Sequence, residues 1–313
     1  MGSGEITGRF APSPSGRMHL GNIYTAVMSW LSVKRRGGRW ILRIEDLDPQ
    51  RSKYEYARLI EDDLHWLGLD WDEGGLDGRG ARGPYVQSRR HDIYLAYLDR
   101  LAATGMLYKC RCTRADIMAT QAPHQSDGRI IYAGTCRPAV MPCLTADLAA
   151  PGATRLYVPD NEIVFDDLIA GRQCYNLARD CGDFIVRRAD GAWAYQLAVV
   201  VDDALMGVTE VMRGRDLLLS AAQQIYLYRL LGFEPPRFAH LSLIVNEQGQ
   251  RLSKRDASQG MDFLRLHNTP AGLLGRIAHL VGIIPEPEPV TPAGLLEILD
   301  GSVCPGAAWP GLS

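Results

Sequence analysis

The chain has 313 residues, 46% of them hydrophobic, with a formal charge of −2 and a pI near 6.4. That is enough apolar material for one large or two or three small packed domains, and the charge balance excludes a generally basic nucleic-acid coat while leaving room for a local basic groove. No run approaches the roughly 18–20 apolar residues of a membrane span, "MGSGEITGRF" lacks the apolar stretch of a secretory signal, and seven cysteines point to a reducing cytoplasm, where cysteine clusters are more often metal ligands than disulfides.

"EITGRFAP" predicts a short strand running into a loop. From His19 onward, Leu20, Ile23, Tyr24, Val27, Met28 and Leu31 fall at helical spacing and make one apolar face. Lys34, Arg35 and Arg36 suit the negative end of that helix, and Gly37 and Gly38 stop it. "RWILRIED" is the next strand, so the three elements form a strand–helix–strand unit with the handed crossover of a parallel sheet. "SKYE" predicts a capping box, Ser52 with Glu55, for a helix burying Leu59, Ile60, Leu64 and Leu67. A third helix is predicted from about Ser88 to Ala103. From Tyr108 to roughly Arg188 the chain is polar, turn-rich and cysteine-bearing, which reads as an insertion. "FIVRRADGAWAYQLAVVVDD" predicts two strands around an Asp190-Gly191 turn. "GVTEVMRGRDLLLSAAQQIYLYRLLG" predicts strand, loop and helix closed by Gly232, and "HLSLIVNEQGQRLSKRDAS" a strand and a loop. Thr269-Pro270 and Thr291-Pro292 start two short helices, and the last dozen residues are expected to fray.

Two segments carry chemistry. In "RFAPSPSGRMHLGN" the prolines stiffen a loop, Gly16 permits an unusual turn, and the following helix aims its free N–H groups and about +0.5 charge at whatever lies above it. His19 and Asn22 share a face there, and Gly21 leaves room for a flat ring, which outlines a nucleotide site. In "RLSKRDAS", Arg251, Lys254 and Arg255 stand beside Ser253 and Ser258, and lysine is a compact mobile cation suited to a transferring phosphate. Cys110, Cys112 and Cys136 are three thiolates where a closed zinc site wants four ligands. By chemistry alone His124 is the candidate fourth.

"MHLGN" and "RLSKR" resemble the HIGH and KMSKS signatures of class I aminoacyl-tRNA synthetases. With "GRFAPSPSG", "LRIEDLD", "YQLAVVVDD" and "VMRGRDLL", residues 5–260 are similar to the catalytic core of glutamyl-tRNA synthetases. The resemblance implies an α/β fold, a split doubly wound parallel sheet in halves at 1–107 and 189–260, a zinc-containing insertion at 108–188 that meets RNA, and a short helical segment at 261–313. That last segment is too short for the family's anticodon-reading domain. With the "CRC…Y…C" insertion, it resembles the family's shortened paralogues, which place glutamate on the queuosine base in the anticodon of tRNA(Asp).

The resemblance further implies roles. ATP, accompanied by Mg²⁺, would meet His19, Gly21, Asn22, Arg251, Ser253 and Lys254, with His19, Asn22 and Lys254 catalytic. L-glutamate would meet Arg9, Phe10, Ala11, Pro12, Ser13, Glu45, Tyr195 and Arg213, the arginines taking carboxylates and Glu45 the ammonium. Zn²⁺ would be held by Cys110, Cys112, Cys136 and Tyr132, with Cys143, Cys174 and Cys181 structural. Arg111, Arg114, Arg129, Arg187 and Arg188 would meet tRNA. A cytoplasmic monomer without membrane contact is expected. The alternatives are a minimal synthetase charging tRNA(Glu), a small-molecule nucleotidyltransferase, and a catalytically dead synthetase-like RNA-binding regulator.

Overall fold

A computed structural model of the chain describes residues 5–119, 131–242 and 260–301. The first half supplies strand β1 (Thr7–Phe10), helix α1 (Leu20–Lys34), strand β2 (Arg39–Leu42), helix α2 (Tyr54–Leu67), strand β3 (Glu73–Gly74) and helix α3 (His91–Ala102). Strand β4 (Leu107–Cys110), helix α4 (Arg114–Ala119), strands β5 (Ala153–Leu156), β6 (Glu162–Asp167) and β7 (Gly171–Asn176), helix α5 (Leu177–Asp180) and strand β8 (Phe184–Arg187) follow. Helix α6 (Tyr195–Leu205), strand β9 (Glu210–Gly214), helix α7 (Leu218–Leu231) and strand β10 (Arg237–Leu241) come next, then helices α8 (Met261–His267), α9 (Pro270–Leu280) and α10 (Pro292–Gly301).

Among the described residues the central sheet has five strands in the order β10-β9-β1-β2-β3, all parallel. Its order reverses between β1 and β9, so the ends of these strands diverge and leave a crevice at their carboxyl edge. Among the described residues, those between β4 and β8 contribute no strand to this sheet. They build a three-stranded antiparallel sheet, β4-β5-β8, and the β6-β7 hairpin.

Helix α1 is buried on more than the one face its apolar spacing predicts, since Ala26, Ser29 and Ser32 are buried too. It lies between the sheet and a layer formed by α2, α9 and α10, whose Leu64, Leu274, Ile277 and Leu299 join its core. The two Thr-Pro helices form as expected, and Thr269 accepts from the Gly272 N–H as N-cap.

Two local predictions fail for identifiable reasons. Ser52 and Glu55 form no capping box: α2 starts one residue later, with Lys53 as N-cap and no side-chain cap. The Ser52 N–H is taken by the Asp48 carbonyl at 2.8 Å and that of Lys53 by the Pro14 carbonyl at 3.0 Å, so a turn fixes the entry. The strand predicted after Asp190-Gly191 is only a bridge between Arg187 and Trp193. From Tyr195 the chain is helix α6, although Val199, Val200 and Val201 favour a strand. Burial of these three valines and of Asp202 and Asp203 gives tertiary packing the deciding vote over β-propensity.

Candidate active site

The crevice holds a cavity of about 680 Å³. It is lined by the end of β1 and the loop after it, Phe10 to Ser13, and by Arg9, Glu45, Tyr195 and Arg213, with His19 and Asn22. The parallel register explains the convergence: Arg9 stands near the end of β1, Glu45 just beyond β2, and Arg213 near the end of β9, all on the carboxyl edge.

His19 is the N-cap of α1. Its Nδ1 accepts from the Gly21 N–H at 3.1 Å, while Asn22 Oδ1 accepts from the His19 N–H at 3.2 Å. This reciprocal cap occupies two of the donors that a helix start leaves open. With Nδ1 accepting, a neutral imidazole carries its proton on Nε2. A Cβ on Gly21 would come within 3.1 Å of the His19 ring, so the absence of a side chain there also lets the capping imidazole fold back over the helix start.

A buried charge network lies behind the cavity. Arg43, fully buried, donates to Asp203 at 2.6 Å and to Glu45 at 3.0 Å. Arg9 donates to Asp203 at 3.4 Å and to the Met212 carbonyl at 3.4 Å. Asp202 accepts from Arg90 at 2.6 Å, Gln87 at 2.8 Å and Tyr94 at 2.9 Å. Burial pushes the Glu45 carboxyl up, opposed by Arg43 and Arg9. At Asp203 burial also pushes upward, but Arg43 and Arg9 outweigh it and hold the carboxyl below its usual range. Arg213 donates to His240 Nε2 at 3.1 Å and to the Tyr195 hydroxyl at 3.4 Å.

The sequence did not single out Arg43, Asp202, Asp203 or His240. Arg43 had a legible signal, since it sits two residues from Glu45 in the extended segment predicted as one strand, where alternate residues share a face. The partners on α6 and β10 had none. Arg251, Ser253 and Lys254, the candidate His124 and the RNA candidate Arg129 lie outside the described residues, as does the side chain of Arg114. A second cavity, about 480 Å³, shares the Ser13, Glu45 and Tyr195 wall and is bordered by Arg51, Arg188 and Trp193.

The cysteines of the insertion converge. The sulfurs of Cys110, Cys112 and Cys136 all lie within 4.8 Å of one another. The Tyr132 hydroxyl lies 3.4 Å from the Cys110 sulfur and accepts from the Cys136 N–H at 2.7 Å. Three soft sulfurs and an oxygen in one cluster fit a four-coordinate zinc. Burial, and then the neighbouring Cys110, push the Tyr132 phenol up, so it would ligate as phenolate only if the cation lowered it. Cys174, by contrast, is exposed on β7, which does not suit the structural role expected of it.

A split parallel sheet with a capped helix at its switch point is the architecture of a class I tRNA synthetase catalytic domain, and the family comparison assigns the chain to that class. The family described as tRNA synthetases class I (E and Q), catalytic domain, matches residues 5–289. A glutamyl-Q tRNA(Asp) synthetase of Symbiobacterium thermophilum is 50% identical over 94% of this chain and 92% of its own length. Its counterpart in Nitratidesulfovibrio vulgaris is 45% identical over 96% and 94%. Among solved structures, a glutamate tRNA ligase from Elizabethkingia meningosepticum in complex with its amino acid superposes with a TM-score of 0.80 at 29% identity, over 94% of this chain. The chain spans 64% of that ligase. The chain therefore belongs to the class I synthetase family, in the branch of the glutamyl-Q tRNA(Asp) synthetases, and is an enzyme of the ligase type. No helix among the described residues is long and apolar enough to cross a membrane.

Proposed function

We propose that the chain joins L-glutamate and ATP into glutamyl-adenylate without tRNA, then transfers the glutamyl group to the queuosine base in the anticodon of tRNA(Asp). The observation that carries this reading is the pairing of two buried arginines, Arg9 and Arg213, with a buried glutamate, Glu45, around one cavity. Two cations and one anion complement the two carboxylates and one ammonium of glutamate.

In the first step an oxygen of the α-carboxylate attacks the α-phosphorus. One oxygen–phosphorus bond forms, the bond to the bridging oxygen of the β-phosphate breaks, and pyrophosphate leaves; Mg²⁺ accompanying the ATP would offset the phosphate charge. Little covalent work falls to the protein, so positioning and charge stabilisation dominate. Arg9, Arg213 and Tyr195 hold the carboxylates, and Glu45 takes the ammonium. The His19 Nε2–H and the start of α1 face the phosphates, and Lys254 meets the leaving pyrophosphate. In the second step a hydroxyl of the modified base attacks the activated carbonyl and AMP leaves. The second cavity, opening from the Glu45–Tyr195 wall, gives that hydroxyl a route, with Arg188 beside it.

The deciding experiment incubates the protein with ATP, labelled glutamate and separate tRNAs. Label is expected on tRNA(Asp) carrying queuosine and not on the same tRNA without it. The likeness to a glutamate tRNA ligase supports one second reading, a small enzyme charging tRNA(Glu), and label on tRNA(Glu) alone would establish it instead.

Cys110, Cys112, Cys136 and Tyr132 would hold Zn²⁺, which would tie the end of β4 to the Cys136 turn. Elemental analysis is expected to find about one zinc per chain, lost in Cys112→Ser, and chelation should lower the melting temperature because site formation is coupled to folding. A full complement of zinc in Cys112→Ser would remove that residue from the ligand set.

A further inference from the structure

Arg213 does not meet the cavity unaided. Its partner His240 lies opposite it on the neighbouring strand, in register across β9 and β10. His240 is buried, its Nδ1 is 2.5 Å from Asp167 Oδ2, and Asp167 ends β6 in the insertion hairpin. Together these make a chain of contacts from Asp167 through His240 and Arg213 to Tyr195.

We infer that Asp167 and His240 are positioning residues that aim Arg213 at a substrate carboxylate without neutralising it. This inference rests on the glutamate reading of the cavity.

The bonding determines the proton positions. The Asp167 carboxyl is held below its usual range: burial pushes it up, but the His240 ring and the Ala170 and His240 N–H groups outweigh that. An ionised carboxylate only accepts, so His240 Nδ1 must carry the proton. His240 itself is held below its ordinary value, first by burial and then by the Arg213 charge, with Asp167 and the nearby Leu217 carbonyl opposing. The ring is therefore neutral and Nε2 is a bare acceptor for the Arg213 Nε–H. A neutral acceptor orients the guanidinium and leaves its charge for the ligand. A carboxylate in the same place would orient it equally well and cancel that charge.

The same geometry makes Asp167→Asn a sharp test. Asp167 Oδ1 accepts from three backbone groups, the N–H of Ile169 at 3.0 Å, of Ala170 at 2.7 Å and of His240 at 3.1 Å. In the asparagine variant those donors retain the oxygen and turn the new NH₂ toward His240 Nδ1. The imidazole must then accept at Nδ1 and carry its proton on Nε2, where it confronts the Arg213 Nε–H. A carboxylate-to-amide change that reverses a histidine tautomer while preserving the fold has large functional effects.

Glutamate-dependent exchange of labelled pyrophosphate into ATP should show the KM for glutamate rising at least about tenfold in Asp167→Asn, the loss of one good hydrogen-bonded contact. The KM for ATP should stay near wild type, and the melting temperature should fall by no more than the few degrees that one mispaired buried hydrogen bond costs. His240→Gln, which places an amide oxygen near the Nε2 position, should keep the glutamate KM within about threefold of wild type and restore it in the Asp167→Asn background, whereas His240→Leu should not. If Asp167→Asn does not fold, the contrast between His240→Gln and His240→Leu carries the same test. An unchanged glutamate KM in Asp167→Asn, or equal increases for glutamate and ATP, would overturn the inference alone. A wild-type chain without glutamate-dependent exchange would overturn the glutamate reading and the inference with it.

Discussion

Lys254→Ala is expected to slow glutamate-dependent pyrophosphate exchange by about 10²–10³, or about 3–4 kcal/mol of transition-state stabilisation, the usual loss on removing one preorganised donor. The KM for glutamate should change little. The reason lies in how the other cations at the cavity are committed. Arg9 and Arg213 stand on the amino-acid wall. Arg17, which also lines the cavity, donates to Asp63 at 2.8 Å and pairs with Asp262. Charge developing on pyrophosphate therefore has the start of α1 with His19, and no uncommitted arginine or lysine among the described lining residues. The chain re-enters the described fold beside that helix start: Gly260 bridges His19, and the Met261 N–H donates to the Met18 carbonyl at 2.9 Å. Lys254 is six residues before Gly260, a reach of up to about 20 Å for extended chain. Exchange at the wild-type rate in Lys254→Ala would remove the lysine from the mechanism.

Arg43→Met should have the largest effect on stability. Arg43 is fully buried and faces Asp203, Glu45 and Asp202. Removing one partner of a buried ion cluster leaves the others uncompensated, at about 3–5 kcal/mol. At roughly 1.5 °C per kcal/mol for a chain of this size, the melting temperature should fall by about 5–8 °C near neutral pH. The pH dependence gives a second check. In the wild type, Asp203 is held below its usual value of 3.8, so its contribution is present above that value and is lost as pH falls through the folded pKa. Without Arg43 the buried carboxyls lose their strongest cation and their folded pKa values rise. A raised carboxyl costs stability at neutral pH, and that cost is relieved as protonation occurs on the way down. The deficit of Arg43→Met should therefore be smaller at pH 5 than at pH 7.5. A deficit independent of pH would show that lost packing, rather than charge, is responsible.

The capped entrance to α1, its glycine stop and the Thr-Pro helices were legible because each rests on residues a few positions apart, and backbone conformation and capping are local. Arg9, Glu45, Tyr195 and Arg213 were legible as a set through the family pattern, and the cysteine trio through its own ligand chemistry. Helix α6 was misread because its triple valine argues for a strand in isolation. Its helical form places Asp202 and Asp203 against Arg90, Arg43 and Arg9, over separations of 112, 160 and 194 residues. The sequence alone thus determined which chemical groups were available and where α1, α9 and α10 begin. Only the tertiary structure decided which charges meet, because strand order, register and the switch point bring Arg9, Arg43, Arg213 and His240 to one edge. Desolvation then makes each of those meetings either strongly favourable or costly, and no local run of residues encodes that difference.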